Sequence, residues 1–186
     1  MDAGVAVVVA AAVSAIPTVW AIVSRRQLRE AQAQLRDQRA WDQTESARRC
    51  CMEFADAVAR YLGSWEEFDL QIGSNPADHG AWDAAFRGLY PLWLQVTTAR
   101  DAVFGHPGVP AQTRSSADQF KDAVHAMDKA GSDWQRELRA GHPQRAASHH
   151  RDYIQRWDAI PAAREAFLES IRTIRADGIQ LSAPSA

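Results

Sequence analysis

Asp118, Asp122 and His125 lie at i, i+4 and i+7, so a helix over this stretch sets all three on one face. An acidic residue three places before a histidine is half of what a carboxylate-bridged di-metal bundle uses. The other half is a second such pair with two further carboxylates. No other Asp or Glu stands three residues before a histidine here, so the trio reads as a solvated acidic stripe and no metal is expected. His149 and His150 are adjacent, which on a helix points them about 100° apart and keeps them from clasping one ion together. His150 falls on an expected core face, and Asp152 and Tyr153 beside it form no nucleophile–base–orienter set.

The only two cysteines, Cys50 and Cys51, are neighbours, which rarely pair with each other and make no disulfide framework. That usage fits a reducing compartment. Cys51 reads as a small core residue and Cys50 as a half-exposed thiol. There is no glycine-rich phosphate loop, no Gly-x-Ser-x-Gly and no His-Glu-x-x-His. No catalytic, cofactor-binding or metal residue is assigned, no cofactor is expected, and the chain reads as a non-enzyme.

The informative charges are Arg25, Arg26 and Arg29. They follow a stretch, Ala3 to Val23, that carries no charge at all. A helix of that length spans roughly 31 Å, about the thickness of a bilayer's hydrocarbon core. Arginines after an apolar span are retained in the cytoplasm, which places the N-terminus outside and the body inside. Trp20 falls near the inner end, at headgroup depth. A cleaved signal peptide would carry its positive charge before the apolar run, whereas here the charge comes after it. A buried core helix is the other alternative, but apolarity on all sides would be hard to hide in a small bundle. Pro17 is expected to kink such a span and not to break it. Cys50 stands 27 residues past Val23 (50 − 23), roughly 40 Å along a straight helix, too far for a lipidated cysteine.

From Thr18 to Leu62 there is neither glycine nor proline. Ser24 to Ser46 is rich in Arg, Gln, Ala and Glu, with Leu28, Leu35 and Trp41 as its strongly apolar residues. This reads as a solvated helical stalk. Leu28 and Leu35 are one heptad apart, Asp42 is next in that register, and self-association would run through Leu28 and Leu35 with Trp41 packing just beyond.

From Cys51 onward the pattern predicts four amphipathic helices joined by Gly/Pro loops. The first carries Cys51, Phe54, Val58, Tyr61 or Leu62, Trp65, Phe68 and Ile72 inward, and stops at Gly73-Ser74-Asn75-Pro76, where Asn75 is a plausible N-cap. The second covers Ala77 to Phe104, with Trp82, Phe86, Leu89, Trp93, Val96 and Val103 inward, Arg100 breaking the pattern and Pro91 bending it. The third starts near Ser115 or Ser116 and runs to about Ala140, burying Ala117, Phe120, Val124, Met127, Gly131, Trp134 and Leu138. The fourth runs from about Gln144 to Ala176, with Ala147, His150, Ile154, Trp157, Leu168 and Ile171 inward, Pro161 kinking or dividing it and Asp177-Gly178 as the stop. No stretch alternates with period two, so no strand is expected.

The predicted fold is all-α: a single N-terminal transmembrane helix continuing into a helical stalk and an antiparallel four-helix bundle. The expected divisions are 1–24 as anchor, 25–48 as stalk, 49–178 as bundle and 179–186 as flexible tail. A net charge of −2 gives no bulk attraction to nucleic acid, so the expected partners are the lipid bilayer, a second copy and a protein of unknown identity.

The charge-free N-terminal run, the segment Ser24-Arg25-Arg26-Gln27-Leu28-Arg29-Glu30 and an arginine-rich helical body together resemble the small membrane-anchored proteins of actinomycete chromosomes and plasmids. The plasmid spread proteins of the Kil type are among them. Nineteen arginines against two lysines also fit a GC-rich genome. The resemblance is one of architecture and composition, covers about the first 50 residues best, and carries over no functional residue. It implies an accessory membrane factor in DNA transfer or spread. The alternative function is a small membrane-active effector, a toxin or pore former whose span oligomerises.

Overall fold

The computed structural model describes the backbone of residues 3–74 and 78–180, and the side chains of residues 24–72, 78 and 80–174. It contains four helices: α1 (Ala3–Ser74), α2 (His79–Gly105), α3 (Ala111–Arg139) and α4 (Pro143–Gln180). There is no strand among the described residues. The chain divides into two compact units, Met1–Asp42 and Gln43–Ala186, and α1 contributes to both.

In the first unit, every residue from 25 to 42 is exposed. Arg25, Arg26, Arg29, Glu30, Arg36, Asp37 and Arg39 recur too often for this segment to enter lipid. Among the described residues no helix is long and apolar enough to cross a membrane. The predicted transmembrane helix therefore finds no counterpart there. Ala3 to Val23, on which it falls, lies outside the residues whose side chains are described.

The second unit is a four-helix bundle, and its ring contacts fix the helix directions. Phe54 of α1 meets Phe120 of α3 and Phe167 of α4, at 5.9 and 5.3 Å between centroids. About three turns further along α1, Trp65 meets Tyr153 of α4 at 5.7 Å and Phe86 of α2 at 6.0 Å. α4 thus runs against α1. Tyr61 meets Trp93 of α2 at 5.3 Å, so α2 also runs against α1, while α3 runs with it. The up-down-up-down order follows from short connections between long amphipathic helices.

Each inner face is built from the expected heptad-like stripe. Cys51, Phe54, Val58, Tyr61, Trp65, Phe68 and Ile72 of α1 are buried, as are Ala117, Phe120, Val124, Met127, Gly131 and Trp134 of α3. On α2, Trp82, Leu89, Val96 and Val103 are buried, with Phe86 and Trp93 half-buried against them.

The fourth helix differs from its prediction. Its buried residues are Ala146, Tyr153, Ile160, Phe167 and Ile174, spaced by seven, together with Ser170 and Ile171. Ala147 is exposed and Ile154 is 41% exposed, so the first half of α4 is turned by one residue, about 100°, from the expected face. Tyr153 takes the inward place because its ring stacks on Trp134 at 5.6 Å and also meets Trp65. Two neighbouring indoles offer an aromatic ring more contact than they offer Ile154.

Several ends also move. α2 is capped by Asp78, whose carboxylate accepts the Ala81 N–H at 2.9 Å; Asn75, the expected cap, lies outside the described residues. α3 begins four residues before Ser115, at Ala111, with the Pro110 carbonyl accepting the Arg114 N–H at 3.0 Å. α2 and α4 pass through Pro91 and Pro161 without dividing. Both prolines are exposed, so the carbonyl that each leaves without an N–H partner can turn to water. α4 also continues past Asp177-Gly178, since one helical glycine costs only about 1 kcal/mol. The turn between α3 and α4 uses Gly141 at φ 69°, a conformation in which a side chain would be strained.

Candidate functional site

The polar chemistry inside the bundle gathers where α1, α2 and α3 meet. Tyr61, 1% exposed, donates its hydroxyl hydrogen to Asp128 Oδ1 across the α1–α3 interface. Burial pushes the Asp128 carboxyl above the ordinary aspartate range. The Tyr61 hydrogen bond and the nearby His125 pull it partly back. Burial also pushes the Tyr61 hydroxyl up, and the adjoining Asp128 charge pushes it further, so phenolate is not accessible near neutrality. The Trp65 indole N–H makes no hydrogen bond of good geometry, yet it lies close enough to stabilise the Asp128 carboxylate. His125 is exposed and stacks on Trp93 at 5.4 Å and 24°.

One glycine lets these helices close. A Cβ on Gly131 would come within 2.6 Å of two Trp65 ring atoms and 3.2 Å of Tyr153. The bare α3 backbone is therefore the floor on which the Trp65 indole rests. Tyr61–Asp128 is a polar tie beside that close approach. It holds an acid and a hydroxyl donor but no adjacent nucleophile, so it links helices and has no evident reaction to perform.

The residues first considered for chemistry are separated by the fold. Asp118 is bound by Arg100, whose Nη2 and Nε lie 2.6 and 2.9 Å from its Oδ1. Arg100 also reaches Asp101 at 2.9 Å and lies 3.8 Å over the Phe104 ring. Asp122 and His125 are exposed, and among the described residues no group of three His, Cys, Asp or Glu side chains could hold a metal ion. His149 and His150 are half-buried; His150 packs 4.3 Å from Trp134, as an aromatic neighbour on the bundle's edge. Burial pushes the Cys51 thiol up to about 12 and raises Cys50 as well, so neither is a ready thiolate.

The surface residues chosen from sequence lie together on α1. Arg26 pairs with Glu30 at 2.9 Å, and Arg25 and Arg29 are exposed. Leu28, Leu35 and Trp41 are 60, 53 and 65% exposed. On the bundle unit, exposed apolar side chains sit on helices that already bury another face. Residues 25–42 bury none within their own unit. The Tyr61–Asp128 tie was not legible in sequence, because its partners are 67 residues apart and neither belongs to a motif.

No family model matches the chain, and no curated protein and no solved structure matches it.

Proposed function

We propose that this chain is a membrane-tethered helical interaction module that acts by protein–protein contact on the cytoplasmic face. The observation that carries the reading is the exposure of Leu28, Leu35 and Trp41 on a helical segment that buries no face of its own. A solvated helix of this length is marginal in water, and it gains its stability by laying those side chains against a partner. The charge-free run from Ala3 to Val23, followed by Arg25, Arg26 and Arg29, supports a tether with the N-terminus outside. The layout shared with plasmid spread proteins of the Kil type suggests an accessory role in DNA transfer or spread.

The test uses the full chain in membranes. A photoreactive aromatic residue placed at Leu35 should form a protein adduct, while the same residue at Arg36 should not. The protein should stay in the pellet through alkaline extraction. Cys50 should escape an impermeant thiol reagent in intact cells and react after lysis under denaturing conditions. Release by alkali overturns the tether, labelling in intact cells reverses the orientation, and absence of any adduct at position 35 removes the interaction module.

A further inference from the structure

We infer that the occupant of the Leu28–Leu35 face is a second copy of this chain, aligned parallel and in register. The inference rests on the tethered-module reading and names the partner of the same face. With Leu28 and Leu35 at heptad position a, Ala31 and Gln38 fall at d. Positions e and g then hold Gln27, Gln32, Gln34 and Trp41 with only Arg25 and Arg39 charged. Arg26, Arg29, Glu30, Arg36 and Asp37 fall at b, c and f, away from the seam. The Arg26–Glu30 ion pair, 2.9 Å long, joins f to c on that outer side and leaves the seam free of charge. The rival register, with Leu28 at d, would place Arg25 and Arg39 in the seam opposite their own copies.

Orientation follows from the same positions. In a parallel pair each a residue meets its own copy, so Leu28 covers Leu28, Leu35 covers Leu35, and the small Ala31 lies between them. Gln34 at g then faces Arg39 at e of the second copy, with no like charges opposed. In an antiparallel pair Leu28 would lie against Gln38, and Arg25 would face Arg39 of the second copy. That arrangement buries an amide under a leucine and opposes two guanidinium groups. The seam ends by its own chemistry at the next a position, Asp42, where two copies would set carboxylate against carboxylate. Asp42 is also the last residue of the first unit. Two heptads hold a pair together weakly in dilute solution. Tethering both copies to one membrane face supplies the parallel alignment and the local concentration that the short seam needs.

The test is disulfide formation in the full chain, in membranes, in a Cys50→Ser, Cys51→Ala background whose helical content matches the parent by circular dichroism. Under mild copper-phenanthroline oxidation, Leu28→Cys and Leu35→Cys should each give a covalent dimer. Arg29→Cys and Arg36→Cys, at b, should lose most of that band. Differently tagged Leu28→Cys and Leu35→Cys chains, co-expressed, should form like-with-like dimers and few mixed ones. A dominant mixed dimer overturns the parallel alignment, and equal dimer at all four positions overturns the seam. No dimer at 28 and 35, alongside an adduct to a different protein from the photoreactive residue at position 35, overturns self-pairing and leaves the interaction module standing. Absence of both products overturns both readings.

Discussion

Along α1, the apolar residues of 24–42 and those of 47–72 meet opposite surroundings. Leu28, Leu35 and Trp41 are more than half exposed, while Phe54, Val58, Trp65 and Phe68 are wholly buried. Helix propensity is not the cause of the difference, since both segments are helical. Density is. Between Ala47 and Ile72 a large or small apolar residue returns every three or four positions, a stripe wide enough to cover one side of a bundle. Between Ser24 and Asp42 the leucines return only every seven, with glutamines flanking them, a width that suits one other helix and no more. The broad stripe builds a fold; the narrow one is left over for contact.

The largest effect is expected where the broad stripe is deepest. Phe54 lies edge-on to both Phe120 and Phe167, so Phe54→Ala opens a cavity between three helices. It should cost about 3–5 kcal/mol in urea denaturation of the full chain, a large part of a small domain's stability. A loss near that of a surface substitution would mean that α1 does not hold α3 and α4 together.

Next comes the close approach at Gly131. Alanine there would gain about 1 kcal/mol of helix propensity but drive a methyl into the Trp65 ring. Overpacking should win, leaving Gly131→Ala destabilised by about 1–3 kcal/mol, read as a lower thermal midpoint. A rise in the midpoint would show that Trp65 can move aside.

The polar tie gives a smaller effect with a definite sign. Asp128 binds its proton more tightly in the folded state than its ordinary value of 3.8. Between that value and the raised one the native state holds more proton than the unfolded chain. Stability should therefore fall as pH rises through this window and level off above it. Asp128→Asn should remove that slope. Tyr61→Phe takes away the hydrogen bond that pulls the carboxyl down, so it should carry the slope to higher pH. Stability profiles that superimpose for all three proteins from acid to neutral pH would refute the tie.

The smallest effect sharpens the comparison from the other side. Leu35→Ala should change the unfolding free energy of the bundle by about 0.5 kcal/mol or less. A loss comparable with Phe54→Ala would place Leu35 in the core and end its candidacy as a contact residue.

Much of this architecture was readable along the chain. The stripes of α1 and α3 repeat over several turns without interruption, and the Gly/Pro-rich segment Gly105-His106-Pro107-Gly108-Val109-Pro110 marks a connection that the structure also has. The narrow Leu28–Leu35 spacing was equally plain, because it depends on one helix alone. The face of α4 was not. His150, Ile154 and Trp157 offer one plausible stripe and Ala146, Tyr153 and Ile160 another, only one residue apart in phase.

Sequence by itself determined that this chain is helical, where most of its connections fall, and which residues of α1 would be left without a place in a core. Periodicity and turn chemistry are local properties, and a single helix displays them whatever it packs against. Tertiary structure alone decided that Tyr153 and not Ile154 points inward, that Tyr61 reaches Asp128, that Arg100 takes Asp118 out of its acidic stripe, and that Gly131 is the floor beneath Trp65. Each of these depends on a partner from another helix, brought close only by packing, and no spacing within one helix encodes which ring or charge will arrive opposite it.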